Sequence, residues 1–127
     1  MGYPNKLMLV LILLLLSAVT ACKKEKNFDV GIRLEISGTV SQDAMITYRD
    51  AGSELQTDSL ALYNWQNKSF SVKEGYNVYV SVSGSSLNGS IDLLVSATSE
   101  GDDAFEAHYA LTSNGMGFSY TAEKVLE

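Results

Sequence analysis

Beyond Asn27 the apolar residues of this chain recur at every second position for several residues at a time, and no stretch sustains the spacing of a helix. Side chains alternate between the two faces of an extended strand, so a period of two marks strands with one face buried and the other in water. Val30, Ile32, Leu34 and Ile36 share one face against Gly31, Arg33 and Glu35. Ala44, Ile46 and Tyr48 share the next, ahead of a turn at Asp50-Ala51-Gly52-Ser53. Leu55 to Leu62 is a weaker third segment, and Phe70 and Val72 mark a fourth. Lys73-Glu74-Gly75-Tyr76 is a tight connection into the clearest strand, carried by Val78, Val80 and Val82. The turn-rich Ser83-Gly84-Ser85-Ser86 and Asn88-Gly89 precede Ile91, Leu93 and Val95. A polar loop, Ser99-Glu100-Gly101-Asp102-Asp103, leads to Phe105, Ala107, Tyr109 and Leu111, and Thr112-Ser113-Asn114-Gly115 joins these to Phe118 and Tyr120. The pattern predicts an all-β domain of seven or eight short antiparallel strands, a small sandwich or barrel. The strand-helix alternation of a parallel nucleotide-binding sheet is absent.

The head of the chain is of another kind. Lys6 is followed by an unbroken apolar run from Leu7 to Leu16, then by small and polar residues up to Cys22. That is the order of regions in a secretory signal. The run falls short of the roughly 20 apolar residues that span a bilayer. Basic residues just beyond it, Lys23, Lys24 and Lys26, oppose its retention as an anchor. Val19-Thr20-Ala21-Cys22 resembles the lipobox of bacterial lipoproteins. The resemblance implies cleavage before Cys22, diacylglycerol on its thiol and an acylated amino group; two or three acyl chains, at about 0.8 kcal/mol per buried methylene, hold a domain on a membrane. An ordinary signal with an incidental cysteine and an uncleaved anchor are the alternatives. The expected organisation is a signal over 1–21, a lipidated tether over 22–28 and a β-sandwich over 29–127. Because Cys22 is the sole cysteine, the domain has no internal disulfide and must be held by its core.

Cleavage would leave 106 residues, enough for one domain. All 15 Asp and Glu lie beyond the signal while Lys6 is lost with it, so eight cations face 15 anions, a side-chain net of −7. Phosphate backbones need basic patches, so nucleic acid is not an expected partner.

The landmarks Ser37-Gly38-Thr39-Val40, Ala44 to Tyr48, Trp65, Phe70 to Gly75, Val78 to Val82, Gly89-Ser90-Ile91 and Thr98 to Gly101 occur in an order similar to that of the MmpS family, over about residues 32–111. Members of that family are membrane-tethered, immunoglobulin-like β-sandwiches, and mycobacterial ones assist large lipid-exporting transporters. The resemblance therefore implies such a sandwich and an envelope or transporter partner. A lipoprotein signal replaces the family's transmembrane anchor, and Asn64 stands where the family usually has Pro.

Residues able to carry chemistry are few. His108, the only histidine, shares a strand face with Glu106, opposite Phe105, Ala107 and Tyr109, with no nucleophile-elbow motif. A surface histidine is the expectation, and no catalytic residue is assigned. One His and a lipidated Cys do not make a zinc site. Glu100, Asp102 and Asp103 put three carboxylates in one loop, the sort of oxygen set calcium takes, but without the spacing of a calcium loop. Tyr63, Trp65, Tyr76 and Tyr79 are candidates for an aromatic surface that would hold a glycan or a lipid, with Trp65 at a landmark that also suits a core plug. The reading is a noncatalytic lipoprotein of the bacterial envelope with no cofactor, an interaction module for a membrane partner. Small-ligand binding is the alternative. Lys23 after Cys22, rather than Asp, points to the outer membrane.

Overall fold

A computed structural model of the protein describes residues 25–62 and 65–127, so the expectations at Cys22 and Tyr63 lie outside the described residues. Six strands follow in order: β1 (Asn27–Val40), β2 (Met45–Arg49), β3 (Leu55–Ser59), β4 (Lys68–Lys73), β5 (Asn77–Ser99) and β6 (Asp102–Val125). Every pairing is antiparallel. Pairing begins at Asn27 and Phe28 is buried, so the sheet takes in the last two residues of the span 22–28.

The count is six, not seven or eight, because two expected pairs of strands are each one long strand. β5 has 23 residues and β6 has 24. At about 3.3 Å per residue either would reach roughly 75 Å if straight, several times the radius of gyration near 13 Å of a domain of about 100 residues. They therefore bend. The inward row on β5 is even-numbered from Val78 to Val82 and odd-numbered from Leu87 to Ala97. On β6 it passes from Phe105, Ala107, Tyr109 and Leu111 to Phe118, Tyr120 and Ala122. A change of parity needs an extra residue, and a turn or a bulge can supply it. Here the ladder is kept and its register shifts between Gly84 and Asn88.

Three strand paths cross this corner together. β1 pairs with β5 from Asp29↔Thr98 to Val40↔Leu87, and β2 continues along the same edge of β5 from Met45↔Ser83 to Tyr48↔Val80. On the other edge β6 accompanies β5 from Asn77↔Val125 to Ser99↔Asp102. The sheet thus has two wings, β4-β1-β5-β6 and β3-β2-β5-β6, folded so that their apolar faces meet. Strands that pass from one layer to the other through a bend are a known way of making such a corner. The core lies between the wings, with Ile32, Ile46, Leu60, Val80, Leu87, Ile91, Leu93 and Val95 each no more than 1% exposed.

Glycine and serine make the corner possible. Gly38 opposes Gly89 at φ of +98° and +134°, and the backbones approach so closely that an added Cβ on Gly38 would lie 2.0 Å from the Asn88 carbonyl oxygen. A Cβ on Gly89 would lie 1.9 Å from that of Ser37. The bulge's amides find acceptors in the β1–β2 link: Ser85 N–H donates to Asp43 Oδ1 (3.0 Å) and Ser86 N–H to Ser41 Oγ (3.1 Å). The Ser41 and Ser85 hydroxyls also donate to Asp43 Oδ1, at 2.5 and 3.0 Å. These bonds, the one from Ser41 first, hold the Asp43 carboxyl below the ordinary aspartate value.

The opposite, open end gathers the connections. Glu100 and Gly101, both at positive φ, form a two-residue turn between β5 and β6, as a primed hairpin turn requires; Asp102 and Asp103 of the expected loop belong to β6. Glu74 N–H donates to Lys26 O, Gly75 N–H to Leu126 O, and Tyr76 Oη to Arg49 O at 2.6 Å. Asp50 Oδ1 accepts from Gly52 N–H and Glu54 N–H, which closes the β2–β3 turn and, with Gln56, lowers its carboxyl pKa.

Two outcomes follow from the corner and its turns. Gly38→Ala or Gly89→Ala should cost about 3 kcal/mol or more in urea denaturation, since strain and steric overlap combine; Gly75→Ala, at φ +91° with nothing within 4 Å of the new methyl, should cost about 1 kcal/mol. Because folding lowers the carboxyl pKa of Asp43 and Asp50, their stabilisation is present above the ordinary value of 3.8 and is lost as pH falls through the folded values. Melting temperatures of wild type and Asp43→Asn should therefore differ at pH 6 and converge below pH 3.8.

Candidate functional site

The link between β3 and β4 closes the mouth between the two wings. Leu60, fully buried, starts it and donates its N–H to Ala44 O. Asn67 ends it, where its Oδ1 accepts Leu34 N–H at 3.1 Å, just beyond the last β1–β4 pair, Ile32↔Lys68. Between them Trp65 is half-buried against the core. Its ring meets that of Tyr48 edge-on at 5.4 Å between centroids and 81° between planes. The Lys68 ammonium lies 5.2 Å from the Trp65 ring centre and 5.9 Å from that of Tyr48. Tyr48 comes from β2 and Lys68 from β4, so this cation and ring group spans both wings.

Beside it runs an open cleft of about 380 Å³ lined by Asp58, Ser59, Leu62, Trp65, Gln66 and Lys68. Leu62 is 85% exposed, the most exposed of the described large apolar residues. Trp65 Nε1–H is buried and finds no acceptor among the described residues. Burial, with Asp58 and Asp50 adding to it, pushes the Tyr48 phenol above its ordinary pKa, so it stays neutral at physiological pH. An apolar ring, an ammonium, a carboxylate, an amide and a hydroxyl on one concave surface suit reversible recognition of a small polar molecule by stacking and hydrogen bonds.

The structure separates the other expected aromatics. Tyr76 is buried, its hydroxyl bonded to Arg49 O and its pKa pushed by burial to about 12, with Arg49 acting against the rise and Asp50 adding to it. Tyr79 lies between Val78 and Val80 on the outward row, opposite Glu123. Of the expected set, only Trp65 borders the cleft among the described residues.

Glu100 occupies the hairpin turn, while Asp102 and Asp103 pair with Ser99 and Thr98; all three are exposed. No three His, Cys, Asp or Glu side chains among the described residues are grouped to hold a metal ion. His108 and Glu106 are exposed on the outer face of β6, and the partner of His108 is Asp92 on β5, 2.9 Å from Nε2. That diagonal cross-strand contact is invisible in a linear reading, as is the meeting of Tyr48, Asp58 and Lys68 around Trp65. No described helix is long and apolar enough to cross a membrane. Comparison with known proteins found no family model, no curated protein and no solved structure that matches the chain.

Proposed function

We propose that the protein is a noncatalytic lipoprotein of the bacterial envelope, anchored through Cys22 and acting as an interaction module for a membrane protein partner. The observation that carries this is the Val19-Thr20-Ala21-Cys22 sequence behind an apolar run, set only five residues before the first paired residue, Asn27. Five extended residues reach at most about 18 Å, so lipid on Cys22 would hold the domain close to the bilayer. The side held there would be the open end, where Lys26 O meets the β4–β5 turn beside Leu126. The corner, with Met116 73% exposed, would face away from the anchor and towards a partner. Two apolar faces meeting across one core support an immunoglobulin-like sandwich as the finer architecture, with β5 and β6 running through both layers. The resemblance to the MmpS family favours a transporter as the partner, and Lys23 favours the outer membrane.

The test is expression of the full chain in a bacterium with labelled palmitate, followed by whole-cell crosslinking. Label on Cys22, its loss with solubilisation of the protein in Cys22→Ser, and one co-purifying membrane protein are expected. An unlabelled Cys22 in the membrane fraction refutes the anchor; labelling with no partner refutes the interaction role.

The Trp65 cleft favours a second reading, a surface lipoprotein that binds a small glycan. A glycan at 100 times its dissociation constant should stabilise the fold by about 2.7 kcal/mol in thermal denaturation. Trp65→Ala should abolish that gain, and a glycan panel without any shift removes this reading.

A further inference from the structure

β6 is an edge strand: among the described residues it pairs with β5 alone, so one side of its backbone is unpaired along the whole strand. Natural edges are commonly blunted by proline, lysine or repeated bulges. The stretch Phe105-Glu106-Ala107-His108-Tyr109-Ala110-Leu111-Thr112 has no Pro, Lys, Arg or Gly. Its ladder to β5 runs without a shift from Ala97↔Phe105 to Ser90↔Thr112. Its inward row, Phe105, Ala107, Tyr109 and Leu111, is only half-buried although it packs against the core. Another strand laid on this edge would cover that row and satisfy the open backbone groups.

The side chains select the occupant. We propose that β6 pairs with β6 of a second copy of this chain, antiparallel about a twofold axis through Ala107, making one sheet continuous across both copies. In such a pair residues equally distant from the axis stand opposite one another on the same face. Centred on Ala107, the outward row sets Glu106 opposite His108 of the second copy. The inward row sets Phe105 opposite Tyr109 of the second copy. Each match occurs twice by symmetry. Centring one residue earlier opposes Glu106 to itself, and one residue later opposes His108 to itself. Asp102 and Asp103 fall beyond this core, opposite the uncharged stretch from Leu111 onwards. His108 contacts Asp92 through Nε2 and not through Nδ1. The small methyl of Ala107 suits the close approach on the axis. The pairing does not depend on lipidation.

Two measurements on the full chain in bacterial membranes test this. Under mild oxidation Ala107→Cys should form a disulfide-linked dimer, while wild type, Glu106→Cys and His108→Cys should form at least tenfold less, because only the residue on the axis meets its own copy. In detergent, the wild type should have twice the monomer mass by light scattering. Glu106→Lys and His108→Glu, both exposed positions, should each weaken the dimer about tenfold, and the double swap should restore it. A monomeric mass at every concentration, crosslinking that ignores position, or a double swap no tighter than either single variant overturns the proposal. Capture of a different protein on the edge of a monomer overturns it equally.

Discussion

A sheet with one apolar face and no helix to cover it has to cover itself. That constraint shapes this molecule, whose described residues contain six strands and no other regular element able to shield a core. The solution is to fold one sheet over, so that the N-terminal half of β5 faces its C-terminal half. Everything then depends on a corner that three strand paths cross without losing their ladder. Side chains would block it, so Gly38 and Gly89 meet backbone to backbone, and Gly84 lies under Phe118, whose ring is 2.6 Å from where a Cβ would be. The amides of Ser85 and Ser86 at the bulge donate to Asp43 and Ser41.

Much of the inward register was legible. Val30, Ile32 and Leu34, then Ala44, Ile46 and Tyr48, then Val78, Val80 and Val82, and Ile91, Leu93 and Val95 are buried as the period of two implies. What the linear pattern did not distinguish is a turn from a bulge. Both use Gly, Ser and Asn, and both change the parity of the apolar row, so Ser83–Ser86 and Thr112–Gly115 read as chain reversals where the chain runs on. Asp102 and Asp103 misled in a similar way, because strand residues on an outer face are as polar as a loop.

The cleft was legible only through Trp65. Its neighbours Tyr48, Asp58 and Lys68 come from three strands and meet only because the wings fold together. One separation was readable in advance: Tyr76, just before β5, and Tyr79 within it are three apart, an odd interval, which in extended chain sets them on opposite faces. The stacked rings of Tyr109 and Tyr120, 4.7 Å apart and parallel within 1°, belong to the two halves of β6 and close the wings at the edge opposite the Trp65 cleft.

The central position of β5 also governs the order in which this protein can become a protein. β5 pairs with both β1 and β2, so the β1–β4 pair and the β2–β3 hairpin have no common sheet until β5 is present. The elements able to form from neighbouring residues are the β2–β3 hairpin, closed by the Asp50 turn, and the β5–β6 hairpin, zipping from the Glu100-Gly101 turn. Contacts so distant along the chain make for slow folding. During synthesis the two wings therefore stay separate until β5 has emerged to join them.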